Sequence, residues 1–210
     1  MYQEPYLYLK NFELTRFHNL KNLSLPAFKI VPQWIFIVGD TASGKTSLLQ
    51  ALAAGLSICP TASDICEIEV CLEGNTGVNL LFYNESRLST LNKLWLVKDI
   101  SQRLRPKGSF AEFGGIVLID EVELYLNPRA QRILMWQLVE YFPRVQFIVT
   151  TNSPLILLGT PYEYEILKLS RQGSVTTLVW EKDIQLHRLM PNSILTSPLF
   201  GLTMDEISGE

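Results

Sequence analysis

The sequence has little of what marks secreted, metal-binding or membrane-spanning proteins. Its 210 residues include three cysteines, with no C-x-x-C pair, and two histidines. These numbers disfavour a disulfide scaffold or a zinc site and are typical of reduced thiols in the cytoplasm. The N-terminus lacks the basic and apolar regions of a signal peptide, and no apolar run is long enough to cross a bilayer. We therefore expect a soluble, cytoplasmic protein with no membrane partner.

The chain also lacks an excess of positive charge. Its formal net charge is −3 and its pI is about 5.5, so composition does not support nucleic-acid binding driven by counterion release. A small basic cluster at Arg103, Arg105 and Lys107 leaves local contact with nucleic acid open, although a solvated face is the preferred interpretation. The 47% of hydrophobic residues suffice for a full core. The length predicts one domain over residues 1–210.

What the sequence does contain is a phosphate-binding loop. Residues 39–46, GDTASGKT, fit G-x-x-x-x-G-K-[ST] between a predicted buried strand at 34–38 and a predicted helix. Backbone N–H groups and the helix dipole would face phosphates, Lys45 would neutralise the β- and γ-phosphates, and the Thr46 hydroxyl would bind Mg²⁺. A glycine-rich turn that binds nothing would need neither side chain. The residues expected to contact ATP are Gly39, Asp40, Thr41, Ala42, Ser43, Gly44, Lys45, Thr46 and Ser47.

A second acidic motif follows another apolar run. Residues 116–119 are all apolar and are followed by Asp120 and Glu121, which is the Walker B pattern. A strand buried on both faces would deliver these acids at its carboxyl end, where ligands bind in open α/β sheets. We expect Asp120 to hold Mg²⁺ and Glu121 to act as the general base on the attacking water. The alternative is an ordinary strand that ends in an acidic loop.

Periodicity predicts the remaining elements. Strands alternating with helices around a P-loop indicate an α/β fold with a mostly parallel core sheet and added antiparallel hairpins. The single strands are predicted at 6–15, 23–30, 34–38, 116–119 and 146–150, the helices at 44–56, 87–105 and 128–141, and the hairpins at 67–83 and 164–180.

Two longer segments narrow the class. Residues 120–128, DEVELYLNP, resemble the D-E-x-E-x-x-L-x-P segment of ABC-type ATPases related to RecF, SMC and OLD-family proteins. Residues 146–154, QFIVTTNSP, resemble the strand and switch segment Q-x-I-x-T-T-H-S-P of the same group, and residues 9–12 resemble its first strand. The matches span about residues 7–158, and they imply an ABC-type ATPase head.

The resemblance implies a mechanism from which this sequence departs twice. In that family two heads close around two ATP molecules, a signature loop reaches across to the γ-phosphate, and a switch His contacts that phosphate. Here Asn152 stands at the switch position and is the expected catalytic counterpart; it can hydrogen-bond a phosphate but cannot become a cation. The segment 84–90, where the signature is expected, has no glycine. Its Ser86 and Ser89 could present a helix N-terminus to phosphate or be plain N-caps.

Two weaker matches concern the nucleoside and the tail. Relatives often place an aromatic or Arg side chain against adenine near the position of Phe17 and Arg16, although a strand residue in the core or at the surface is the alternative. Residues 191–201 resemble a short C-terminal segment of small relatives and could dock a partner or complete the core.

The leading functional prediction is an ATP-binding and ATP-hydrolysing ABC/SMC-like head that works as a nucleotide-dependent association switch. It would form an ATP-dependent homodimer or join a partner effector protein, in phage defence or DNA repair. Too few residues separate Lys45 from Asp120 for a coiled-coil arm. A nucleotide-dependent interaction module with little turnover remains open, as does the nucleotide-binding subunit of a transporter, which would normally carry an L-S-G-G-Q signature.

Overall fold

The secondary structure alternates strands and helices as the periodicity predicts. The computed structural model describes residues 7–56, 67–74, 80–83, 98–100, 102, 114–160, 164–182, 184–186, 189–197 and 199–200. The strands are β1 (Leu7–Phe17), β2 (Leu20–Leu25), β3 (Trp34–Gly39), β4 (Glu67–Gly74), β5 (Leu80–Tyr83), β6 (Gly114–Ile119), β7 (Arg144–Thr150), β8 (Tyr164–Gln172) and β9 (Val175–Glu181). The helices are α1 (Lys45–Leu56), α2 (Pro128–Tyr141), α3 (Pro154–Leu158) and α4 (Pro191–Leu195).

The central layer is a six-stranded sheet. Its order is β5-β6-β7-β3-β8-β9, and all neighbours are parallel except β8 and β9, which form an antiparallel hairpin. The predicted α/β fold with a mostly parallel core sheet and an added hairpin is therefore confirmed. The continuous apolar runs of β3 and β6 arise because both faces of a parallel sheet are covered.

Two hydrophobic clusters cover these faces. On one side, Trp34 and Phe36 pack with Leu134 of α2 and with residues near the C-terminus. On the other side, Ile35 and Ile37 pack with α1 and with strands β1 and β2 of a smaller sheet. The tail segment contributes to the first cluster through Ile194 and Leu199, both fully or nearly fully buried. Of the two roles open for that segment, these residues complete the core.

The smaller sheet corrects one predicted hairpin. It has the order β2-β1-β4 and is antiparallel, whereas β5 pairs in parallel with β6 in the six-stranded sheet. Residues 67–83 therefore do not form a hairpin; their two strands belong to different sheets. The prediction was wrong because alternation and turn residues report that strands exist, whereas pairing depends on contacts distant in sequence.

Most element boundaries lie within about two residues of the predictions, and β2 is the exception. Strand β2 begins and ends earlier than the predicted 23–30, and Pro26 follows its last residue, where a missing N–H prevents further pairing. Helix α2 begins as predicted, with the Asn127 side chain accepting from the Ala130 N–H at 2.9 Å. Of the helix predicted at 87–105, residues 98–100 and 102 are helical. The signature segment 84–90 and the basic cluster lie outside the described residues.

No helix within the described parts of the chain is both long and apolar enough to cross a membrane.

Candidate functional site

The carboxyl ends of three neighbouring strands meet at one edge of the central sheet. Strand β7 lies between β3, which leads into the P-loop, and β6, which carries the Walker B acids. The Thr151 N–H donates to the Ile37 carbonyl at 3.2 Å, and the Val122 N–H donates to the Thr150 carbonyl at 3.1 Å. These backbone bonds fix the loops after the three strands relative to one another, at the edge where open α/β sheets bind ligands.

The P-loop follows a path that only glycine permits at two positions. Gly39 has φ +143°, and a Cβ there would lie 2.0 Å from the Leu169 carbonyl oxygen. Gly44 has φ +105°, and its Cβ would lie 2.7 Å from a methyl group of Leu20. Between them, the Ser43 N–H closes a turn onto the Asp40 carbonyl at 3.1 Å. The loop is thus wedged between β8 and β2, which sets its backbone N–H groups in place before a ligand binds.

Lys45 is buried within this loop. Its side chain is 6% exposed, and Nζ donates to the carbonyl oxygens of Gly39 at 2.8 Å and Asp40 at 2.9 Å. Burial lowers the pKa of Lys45 from the usual 10.5, while the carboxylates of Glu123, Glu121, Asp40 and Asp120, in decreasing order, act to raise it. A desolvated ammonium that bonds only neutral carbonyls through these contacts is suited to receive an anionic phosphate.

Asp120 and Thr46 bring a carboxylate and a hydroxyl oxygen together beside the P-loop. The Thr46 hydroxyl donates to Asp120 Oδ1 at 3.2 Å, and the Thr150 hydroxyl donates to the same oxygen at 2.6 Å. Asp120 is 5% exposed, so its carboxylate is held by hydroxyl groups instead of water. Mg²⁺ prefers oxygen ligands and usually keeps waters and phosphate oxygens as well. The pair therefore fits Mg²⁺ bound with a nucleotide, and no group of three or more His, Cys, Asp or Glu suited to a metal occurs among the described residues.

The backbone conformation of Glu121 fixes where its side chain begins. It has φ +49°, a left-handed conformation that is uncommon outside glycine and is often found at functional sites. Its N–H donates to the Thr150 hydroxyl at 2.7 Å, the group that also holds Asp120. Thr150 therefore ties both Walker B acids to the end of β7, a role that the sequence did not reveal.

A cavity of about 290 Å³ opens over the P-loop. It gathers most of the predicted site, whereas Gly39, Asp40, Ser43 and Asp120 lie outside its lining. The buried Ser43 hydroxyl has no hydrogen-bond partner among the described residues. The cavity is lined by Asn19, Thr41, Ala42, Gly44, Lys45, Thr46, Ser47, Glu121, Asn152 and Arg171.

Asn19 and Arg171 were not predicted. Arg171, at the end of β8, donates through Nη1 to the Ala42 carbonyl at 3.5 Å, which brings the β8–β9 turn to the P-loop. No local pattern marks either residue. The adenine candidates Phe17 and Arg16 do not line the cavity; the Phe17 ring stacks on His18 at 4.2 Å.

A family match and two solved structures are consistent with the P-loop fold described above. Residues 100–158 match the family described as "AAA domain, putative AbiEii toxin, Type IV TA system". The fold is similar to the SMC head domain from Thermotoga maritima, with a TM-score of 0.51 and 15% identity over 83% of this chain and 99% of that one. It is also similar to an SMC head bound to the C-winged helix domain of ScpA, with a TM-score of 0.55 and 12% identity over 84% of this chain and 98% of that one.

Two curated relatives match about half of the chain. A retron Vc95 probable ATPase from Vibrio cholerae serotype O1 biovar El Tor is 33% identical over an aligned length of 116 residues, and the match covers 48% of this chain and 22% of that protein. The Septu protein PtuA from Bacillus mycoides (strain KBAB4) is 31% identical over 115 residues, which are 54% of this chain and 16% of that protein. The matched segments thus cover about a fifth of the relatives' own lengths.

The fold is a P-loop α/β fold of the SMC-head type. The matches support the resemblance to ABC/SMC-like ATPases related to the RecF/OLD group that the motifs at 120–128 and 146–154 predicted.

Proposed function

We propose that the chain binds and hydrolyses ATP and uses nucleotide to switch its association with a second protein. The observation that carries this proposal is the hydrogen bond from the Thr46 hydroxyl to Asp120 beside the buried Lys45. A cation, a hydroxyl and a carboxylate at a P-loop are the groups that a magnesium-bound triphosphate requires. We also propose that residues 1–210 form one such head.

Each residue has a distinct part in this proposal. Lys45 neutralises the β- and γ-phosphates, and the N–H groups of residues 39–47 bind phosphate oxygens. Thr46 and Asp120 hold Mg²⁺, which when bound offsets charge on the phosphates. Glu121, which also lines the cavity, accepts a proton from the attacking water.

Because Asn152 replaces the switch His, we expect slower ATP hydrolysis than in relatives that have the His. Its side chain is exposed at the cavity and can donate a hydrogen bond to a phosphate oxygen without adding positive charge. This residue favours a second candidate function, a nucleotide-dependent interaction module with little turnover. Turnover near background with intact Mg-ATP binding would select that alternative.

The proposed partner is a second copy of the chain or an effector protein. Of the two settings expected from the sequence, the similarity to a retron ATPase and a Septu protein favours phage defence over DNA repair.

Binding of Mg-ATP tests the site. We expect Lys45→Ala to abolish binding in calorimetry, because the buried cation is lost from the phosphate cavity. Lys29→Ala is the matched control, since Lys29 is exposed and does not line that cavity. Equal binding by wild type and Lys45→Ala would refute the site assignment.

The mass of Glu121→Gln in light scattering, with and without Mg-ATP, tests the switch. Loss of the general base should preserve bound ATP, so dimers that form only with ATP would support a head-to-head pair. Monomers in both conditions, with ATP bound, would contradict homodimerisation and favour closure by another protein.

A further inference from the structure

One side chain joins the Walker B loop to the switch loop. Glu123, three residues after Asp120, accepts a hydrogen bond through Oε1 from the Asn152 N–H at 2.7 Å. Asn152 has no backbone ladder at this point, because β7 ends at Thr150. The carboxylate of Glu123 is therefore what holds the backbone of residue 152, and hydrogen bonds to a charged acceptor are about twice as strong as neutral ones.

A second link runs parallel to the first. The Ser153 hydroxyl donates to Gln131 Oε1 at 2.6 Å, and Gln131 Nε2 donates to the Leu126 carbonyl at 2.9 Å. Helix α2 thus also ties the switch loop to the Walker B loop. In the switch loop, Thr151 is bonded to Ile37 and Ser153 is bonded to α2. The contact with Glu123 therefore sets the backbone of Asn152, which lies between them at the cavity.

The charge of Glu123 also reaches the P-loop. Among the four carboxylates that act on Lys45, Glu123 has the largest effect. Its other oxygen, Oε2, is buried and has no hydrogen-bond partner among the described residues. A buried carboxylate oxygen without a donor is costly, and this cost indicates a placement that serves the site.

We infer that Glu123 is the positioning residue of the switch loop: it fixes Asn152 at the mouth of the cavity, next to Lys45. The expected effect of Glu123 on turnover rests on the proposed function. The placement of Asn152 rests only on the hydrogen bonds of the switch loop. Glu121 lines the cavity, whereas Glu123 does not line it and acts on the switch loop through its bond to Asn152.

Amide hydrogen exchange in the nucleotide-free protein tests the placement. We expect the Asn152 amide to exchange about tenfold faster in Glu123→Ala, because its acceptor is lost. Glu123→Gln keeps a side-chain oxygen that can accept, so protection should be largely restored. Glu140→Ala is the matched control, since Glu140 is exposed on α2. Unchanged exchange at Asn152 in Glu123→Ala would overturn the inference.

Kinetics test the consequence for turnover. Glu123→Ala and Asn152→Ala should each lower kcat about tenfold with little change in Mg-ATP affinity, and the double variant should be no slower than either one, because both remove the same arrangement. If the decreases in kcat multiply in the double variant, the inference is contradicted. Wild-type protein that binds no Mg-ATP would instead contradict the proposed function, while the exchange result would still decide whether Glu123 positions Asn152.

Discussion

A buried hydrogen bond between Leu9 and Gln146 joins the two sheets. The Leu9 N–H donates to Gln146 Oε1 at 2.8 Å, and Gln146 Nε2 donates to the Pro32 carbonyl at 3.0 Å. The register of β1 with β4 shifts between Leu9 and Asn11, so the bond to Gln146 lies at an irregularity of the ladder. Gln146 is fully buried, and it satisfies two backbone groups between the layers.

We predict that Gln146→Leu lowers the free energy of unfolding by about 2–4 kcal/mol. The substitution puts an apolar side chain of similar size in place of the amide and leaves a backbone donor and a backbone acceptor buried without partners, each at about 1–3 kcal/mol. Urea unfolding measures the change. Gln172→Leu, at an exposed position at the end of β8, is the control and should change stability by less than about 0.5 kcal/mol. Equal effects at both positions would mean that the inter-sheet bonds contribute nothing.

Gly39→Ala should destabilise the fold by about 2–4 kcal/mol. The new Cβ would lie 2.0 Å from the Leu169 carbonyl oxygen, so β3 and β8 would have to separate at the P-loop. Gly173→Ala is the matched control because Gly173 also has positive φ, but a Cβ added there would have no neighbour within 4 Å among the described residues. It should cost about 1–2 kcal/mol from backbone conformation alone. Thermal unfolding that ranks Gly173→Ala as the more harmful change would contradict this reading of the P-loop.

The pKa of Lys45 predicts a pH dependence of stability. Burial lowers this pKa below 10.5, so between the folded value and 10.5 the unfolded chain binds more protons than the folded chain. Between these two pKa values, the free energy of unfolding therefore rises with pH. At pH values below the folded pKa, Lys45 is charged in both states and the folded protein bears the full cost of burying that charge. Urea unfolding of wild type and Lys45→Met should therefore give a stability difference that shifts in favour of wild type as pH rises towards 10.5. A difference independent of pH would argue against a desolvated Lys45.

Arg171→Ala should weaken Mg-ATP binding about two- to fivefold. Arg171 lines the cavity and contacts the P-loop carbonyl of Ala42, but it is exposed, so water and salt screen its charge. The difference from wild type should shrink as salt concentration rises. Arg132→Ala, on the exposed surface of α2, serves as the control. Equal affinities of the Arg171 and Arg132 variants in calorimetry would remove Arg171 from the binding site.

Much of the candidate site could be predicted because its geometry is local. The P-loop at 39–46 joins a strand directly to a helix, so the sequence alone places Lys45 and Thr46 at a helix start. Likewise, four apolar residues followed by Asp120 and Glu121 are typical of a buried parallel strand that ends in acids at its carboxyl edge.

The rest of the site could not be predicted because it depends on which strands are neighbours. Thr150 holds Asp120 because β7 lies between β3 and β6, and the order of strands in a sheet leaves no mark on any one strand. Arg171 reaches the P-loop because β8 pairs with β3 in parallel. Sequence periodicity gives the faces of an element but not its partners.

The sequence by itself determined the P-loop, the Walker B acids, the alternation of strands and helices, and hence the class of ATPase head. Each of these is set by neighbouring residues, through backbone conformation and burial. Only the tertiary structure decided that residues 67–74 and 80–83 belong to different sheets and that Glu123 holds Asn152. These contacts join segments far apart in the chain, and they form where packing of the two hydrophobic clusters brings the sheets and loops together.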